Sequence, residues 1–242
     1  MDVLKQKLNE LIEELSEDKK REIRYRLQDL ISVYPFNEYE YIISSLMGCG
    51  KITLDDYFQI REDYKTRNKY LYLFEITSPR KFGEGWGQDH IRCLGQDFFI
   101  PTKETDENYD EEYDLALKYK DEHIKIEVKA SRVVDRKSKE PLYVKALSYE
   151  SSRPFTMNFQ QIKPACTDVF IWVAVWRDVI KYWVIGSTEV KNSKYYSQKQ
   201  HRGNIGEGQL HIKDSNIEEF SKYECKPEEL RQAVTDAYER QK

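Results

Sequence analysis

The sequence predicts an α/β protein: a mixed central β-sheet of about five strands flanked by helices, with a helical region ahead of it. Three observations carry this. Apolar residues recur at helical spacing through most of the first 75 positions. Near residue 79 that spacing is broken by Pro79, Gly83, Gly85 and Gly87. Beyond them, short runs are either alternating or continuously apolar, the patterns of half-buried and fully buried strands.

Residues 2–31 read as one amphipathic helix. Leu4, Leu8, Leu11, Ile12 and Leu15 form its first stripe, and Ile23, Leu27, Leu30 and Ile31 resume it before Pro35. A second helix is expected over 38–47, stopped by Gly48 and Gly50. Thr53 suits the N-cap of a third, running from 54 to about 75, whose tail at 70–74 fits helix or strand equally. Residues 85–94 open a helix over the sheet. Strands are expected at 98–100, 113–119, 124–130, 169–176 and 181–186, and 159–166 is a short segment that Pro164 limits as a helix. Pro227 sits in the first turn of a closing helix over 227–240. The chain thus divides into a helical region, 1–75, and an α/β core, 76–242.

Composition bounds what the chain can do. Its 242 residues are 39% hydrophobic and 13% aromatic, enough for a sizeable core, and the net charge of −4 excludes a bulk polycation. Any nucleic-acid binding must come from local patches. Cys49, Cys93, Cys166 and Cys225 are isolated, as in a reducing compartment, and a cytoplasmic protein is expected. No apolar run approaches the roughly 18 residues of a membrane span, and the N-terminus lacks a signal-peptide core, so no membrane partner is expected. The run 48–51 resembles the end of a phosphate-binding loop, but Ile52 stands where Ser or Thr is needed, and no nucleotide cofactor is expected. The four histidines lack zinc-ligand spacing.

The most informative stretch is 113–131, YDLALKYKDEHIKIEVKAS. Successive side chains of a strand face opposite ways. In 124–130, Ile124, Ile126 and Val128 share one face, leaving Lys125, Glu127 and Lys129 on the other; in 113–119, Asp114 falls on the face opposite Tyr113, Leu115 and Leu117. A tight turn at Lys120 and Asp121 sets Asp114 across from Glu127, with Cβ atoms about 4.5–5.5 Å apart. Two carboxylates so close repel, and a hard cation, Mg²⁺ or Mn²⁺, relieves the repulsion. Lys129 can neutralise phosphate charge or orient a water, so phosphodiester hydrolysis is the expected chemistry.

Asp114, twelve intervening residues, then Glu127-Val128-Lys129 resembles the signature of the PD-(D/E)xK nuclease superfamily, whose type II restriction endonucleases are the best-populated group at this chain length. Tyr113 stands where the superfamily often has proline. The resemblance covers about 114–129. It implies a restriction-endonuclease-like fold and a metal held by Asp114, Glu127 and the Val128 carbonyl, with Lys129 beside the attacking water. It also implies a homodimer cutting double-stranded DNA. The helical region is expected to serve packing, dimerisation or DNA contact. Glu84, on the helix before the aspartate, is the candidate for a further catalytic acid. A structure- or modification-directed nuclease and a catalytically inert DNA-binding protein are the rival readings.

The DNA contacts are expected nearby. Residues 129–145 hold six cations, including Arg132, Arg136, Lys137 and Lys139, against Asp135 and Glu140, a patch suited to a phosphate backbone. Arg153, Gln200, His201, Arg202 and Asn204 lie in polar loops and are expected to read base edges. The resemblance also implies a glutamine near the site on a helix, for which Gln160 and Gln161 are the candidates; Lys125 is expected toward solvent.

Overall fold

The structure, a computed structural model, describes residues 10, 12–28, 43, 46–107, 109, 111–198 and 207–242, with backbone alone for 23, 26–28 and 84. Two compact units meet in sequence at residues 57 and 58: Met1–Tyr57 and Phe58–Lys242. The boundary expected near residue 75 therefore falls inside the second unit. There Leu71, Leu73 and Phe74 are buried and the Tyr70 N–H donates to the Arg177 carbonyl at 2.7 Å.

In the first unit, helix α1 (Glu17–Gln28) begins after a turn at Glu14–Ser16 instead of running unbroken from residue 2. Ser16 followed by Glu17 and Asp18 is a strong start signal, with acids favoured at a helix N-terminus. Most of the helix expected over 38–47 lies outside the described residues.

Helix α2 (Leu54–Arg67) starts as expected from a reciprocal cap: Asp56 N–H donates to Thr53 Oγ1 at 3.1 Å, and Thr53 N–H to Asp56 Oδ2 at 2.8 Å. It stops at Arg67 and not near 75. The ambiguous tail becomes a single 3₁₀ turn, Leu71–Phe74, whose apolar side chains are mostly buried. A π-helix, Lys81–Gly87, then runs directly into α3 (Gln88–Leu94).

The strands are β1 (Phe98–Phe99), β2 (Leu115–Tyr119), β3 (Glu122–Arg132), β4 (Val134–Asp135), β5 (Phe155–Ile162), β6 (Val169–Val175), β7 (Ile180–Gly186), β8 (Tyr196–Ser197), β9 (Gly208–Lys213) and β10 (Glu224–Cys225). Six form one mixed sheet in the order β1-β2-β3-β6-β7-β10, in which only β3 and β6 are parallel. The others form an antiparallel sheet, β4-β5-β9-β8, which the sequence reading did not anticipate. Segment 159–166 accordingly belongs in part to strand β5, not to a helix. The protein is mixed α/β, as expected. Helices α4 (Ser187–Lys191) and α5 (Leu230–Glu239) complete it, α5 following a 3₁₀ turn that starts at Pro227.

The core explains the layering. Every residue of β6 is buried, as a strand covered on both faces requires. Phe159 of β5 stacks on Trp172 of β6, with ring centroids 5.0 Å apart, so the second sheet covers one face of the first. The helical segment 81–94 is fastened to the first sheet by a column of rings: Phe82 on Trp86 at 5.3 Å, Trp86 on His90 at 4.8 Å, and His90 on Tyr182 of β7 at 5.9 Å. It also lies tight against β3, for a Cβ on Gly87 would stand 3.1 Å from that of Ala130. Among the described residues no helix is long and apolar enough to cross a membrane.

Candidate active site

The β2–β3 hairpin closes on Lys120 and Asp121, with Lys120 at φ 53°, and pairs Tyr119 with Glu122 through to Leu115 with Ile126. This is the expected register. Asp114 then leaves it. Its N–H donates to the Ile126 carbonyl at 3.0 Å although Leu115 already stands opposite Ile126. Two residues facing one is the count of a β-bulge. The expected cross-strand pair with Glu127 is therefore corrected: Asp114 reaches along the edge, and its Oδ2 accepts the Val128 N–H at 2.8 Å. The carboxylate takes over an edge donor that β2 no longer reaches.

Glu127 and Lys129 share the face predicted for them and form an ion pair. Glu127 is 8% exposed. Burial pushes its carboxyl up to about 7; the Lys129 ammonium opposes the rise, and the charge of Asp114 adds to it. Two acids held together in a partly dry setting are the electrostatic arrangement that a cation relieves. From α3, Gln88 Nε2 donates to Asp114 Oδ1 at 2.6 Å. This glutamine was missed. It lies 26 residues before the aspartate, and its one signal is its place on the helix expected over 85–94, a turn after Glu84.

These groups line a cleft of about 1090 Å³. One of its walls is β5, tied to β3 where the Asn158 N–H donates to Ser131 Oγ at 3.0 Å. Among the described residues no three Asp, Glu, His or Cys side chains are arranged to hold a metal. The oxygen donors that line the same cleft are the Asp114 and Glu127 carboxylates and the Val128 carbonyl, which addresses the same strand edge as its N–H. Such a sparse oxygen set fits Mg²⁺, which keeps several waters and takes one or two carboxylates beside a substrate phosphate.

The remaining candidates are scattered. Arg132 lines the cleft, half-buried, its guanidinium 3.9 Å from the Phe82 ring centroid and its Nη2 donating to the Ile76 carbonyl; burial lowers its pKa to about 10. Arg136, Lys137, Lys139 and Arg153 do not line the cleft. Arg136 pairs with Asp214 at 3.9 Å and Arg153 with Asp135 at 3.5 Å, while the Lys137 N–H donates to Asp135 Oδ1. The reason is topological: after the buried Val133 the chain leaves the first sheet for β4 of the second. The basic run therefore does not continue the site.

Lys125 is engaged by Asp106 at 3.6 Å and lies over the Tyr113 ring, not simply toward solvent. Gln160 and Gln161 line the cleft, but from a strand. Glu84 lies in the π-helix with its side chain outside the description, and Gln200, His201, Arg202 and Asn204 lie outside the described residues. Lys163, also missed, borders the cleft between Glu112 at 2.6 Å and Glu207 at 4.0 Å. No family model and no curated protein matches this chain.

Proposed function

We propose that this protein is a Mg²⁺-dependent endodeoxyribonuclease of the PD-(D/E)xK kind, with a restriction-endonuclease-like fold. In this reading it acts as a homodimer that cuts double-stranded DNA at a defined sequence, as a type II restriction enzyme does. One observation carries the reading: Asp114, Glu127 and Lys129 meet in a single cleft at the point where β3 outruns β2.

Each residue has a task that follows from its surroundings. Asp114, held by Gln88 and the Val128 N–H, and Glu127, held by Lys129, present carboxylate oxygen to the cleft. Mg²⁺ bound there supplies Lewis-acid charge to the scissile phosphate; Mn²⁺ offers the same coordination. The Lys129 ammonium, 17% exposed, donates to a non-bridging phosphate oxygen or orients the attacking water, and offsets the charge that accumulates on phosphorus. Gln88 and the bulge fix the direction of Asp114, so its oxygens need little rearrangement when the phosphate arrives.

The test is digestion of unmethylated phage and plasmid DNA with Mg²⁺, followed by mapping of the ends. Discrete bands are expected, lost in Asp114→Ala and Lys129→Ala. Cutting confined to branched or modified substrates favours a structure- or modification-directed nuclease. Cleavage that survives both substitutions removes the assigned site. A wild-type protein that binds no Mg²⁺ and cuts nothing favours an inert DNA-binding protein.

A further inference from the structure

One wall of the cleft is strand β5, three of whose lining side chains are amides. Along β5, Met157 and Ile162 are buried away from the cleft, while Thr156, Asn158, Gln160 and Gln161 line it together with the buried Phe159. Two adjacent glutamines on one side of a strand break the alternation of side chains. A β-bulge makes this possible. Gln160 pairs with Gln209 and Ile162 with Gly208, so Gln161 is left without a partner in the ladder. Without the extra residue, Gln161 would point into the core and Ile162 out of it.

The bulge holds Gln161 at φ 54°, a left-handed conformation that glycine takes without strain. A long polar side chain kept at such a position, facing a cleft, points to a use for that side chain. Asn158 adds an independent sign. Its N–H is committed to Ser131 Oγ, whereas its side-chain Oδ1 is buried and accepts no hydrogen bond among the described residues.

We propose that Asn158, Gln160 and Gln161 are specificity-determining residues that read adenine in duplex DNA beside the cleavage point. The proposal rests on the nuclease reading for its substrate and goes beyond it in naming the base and the readers. Carboxamides match adenine because they donate to N7 and accept from the N6 amino group at once. The spacing suits a groove as well. A strand advances roughly 3.4 Å per residue, close to the rise per nucleotide along one DNA strand. Asn158 and Gln160 thus lie about two base steps apart.

The experiment is selection of bound sequences from a random duplex library in Ca²⁺, in parallel with end-mapping of Mg²⁺ digests, for wild-type protein and single variants. Wild type is expected to enrich a motif with three fixed A·T pairs, one for each reader. Gln160→Glu should shift one adenine position toward cytosine, whose amino group a carboxylate accepts, by about 10-fold or more. Gln161→Gly, which relieves the backbone and keeps the fold, should lose the preference at a second position. Asn158→Ala should relax a third.

An adenine motif that survives all three substitutions, or a motif with no fixed A·T pair, overturns the proposal and leaves the nuclease reading standing. An adenine motif that the variants alter, without cleavage in Mg²⁺, supports the proposal and removes the nuclease reading. Absence of any DNA binding overturns both.

Discussion

Strand β3 is two strands in one. Its first part, Glu122 to Ile126, is zipped to β2, and Ile124 and Ile126 are fully buried. Its second part, from Glu127 to Arg132, is paired in the ladder with β6 alone, because β2 is no longer beside it. The first part has apolar side chains at its buried positions and is paired to a neighbour by backbone hydrogen bonds. The second carries Glu127, Lys129, Ser131 and Arg132, and its free edge recruits a carboxylate to satisfy the Val128 N–H. The contrast teaches where chemistry enters a sheet. A strand becomes reactive where its ladder stops, since edge donors must then be met by side chains, and those side chains face a cleft and not a neighbour.

The largest effect that can break this comparison is on turnover. Lys129→Ala should lower the initial rate of supercoiled plasmid cleavage by about 10²–10⁴-fold, while the thermal midpoint stays close to wild type. The mirror experiment lies in the first part. Ile126→Ala leaves a cavity under the hairpin and should cost about 2–5 kcal/mol in denaturant unfolding, with catalysis of the remaining folded protein largely kept. If the Lys129 variant unfolds and the Ile126 variant is inert but stable, the division of labour along β3 is wrong.

The two parts were unequally legible in the sequence. The hairpin register was readable, because alternation on both sides of a two-residue polar turn leaves one pairing that buries Leu115, Leu117, Ile124 and Ile126 together. Strand β6 was readable from its unbroken apolar run. The bulge at Asp114 was not, since alternation marks faces but not the point where a ladder ends. The second sheet was hidden for a different reason. Strand β5 pairs with β9 nearly fifty residues away, and Pro164, which follows β5, drew attention from the alternation of Met157, Asn158 and Phe159 before it. The place of the basic run was not legible, because charge spacing carries no information about which sheet the chain joins after Val133.

The next effect separates the parts by pH. The folded protein keeps a proton on Glu127 up to about 7, whereas an unfolded glutamate releases it near 4.5. Between those values the native state binds more protons than the unfolded chain, so stability falls as pH rises and levels off above about 7. The full drop from this group corresponds to about 3 kcal/mol. Glu127→Gln should flatten that part of the profile of thermal midpoint against pH. Mg²⁺ added above pH 7 should raise the midpoint of wild type and not that of the variant, since it binds the carboxylate that the folded site otherwise leaves strained. A wild-type profile matching that of Glu127→Gln across this window would mean that the second part of β3 is wetter than its burial indicates.

The smallest effect concerns how the open edge is kept in order. Gln88 touches Asp114 but not Glu127 or Lys129 through any hydrogen bond among the described residues, so it is a positioning residue and not a catalytic one. It is itself fixed by the ring column from Phe82 to Tyr182 and by the close approach of Gly87 to Ala130. Gln88→Ala removes the donor to Asp114 Oδ1 while the Val128 N–H still holds Oδ2. Loss of such an outer partner weakens metal affinity by about 10–100-fold. The Mg²⁺ concentration for half-maximal rate should rise by that factor, and the rate at saturating Mg²⁺ should change little. Gln88→Glu separates position from charge: a carboxylate there repels Asp114 and should lower the saturating rate as well. If alanine lowers the saturating rate and leaves the Mg²⁺ requirement unchanged, Gln88 acts on substrate, and the order of this edge comes from the bulge alone.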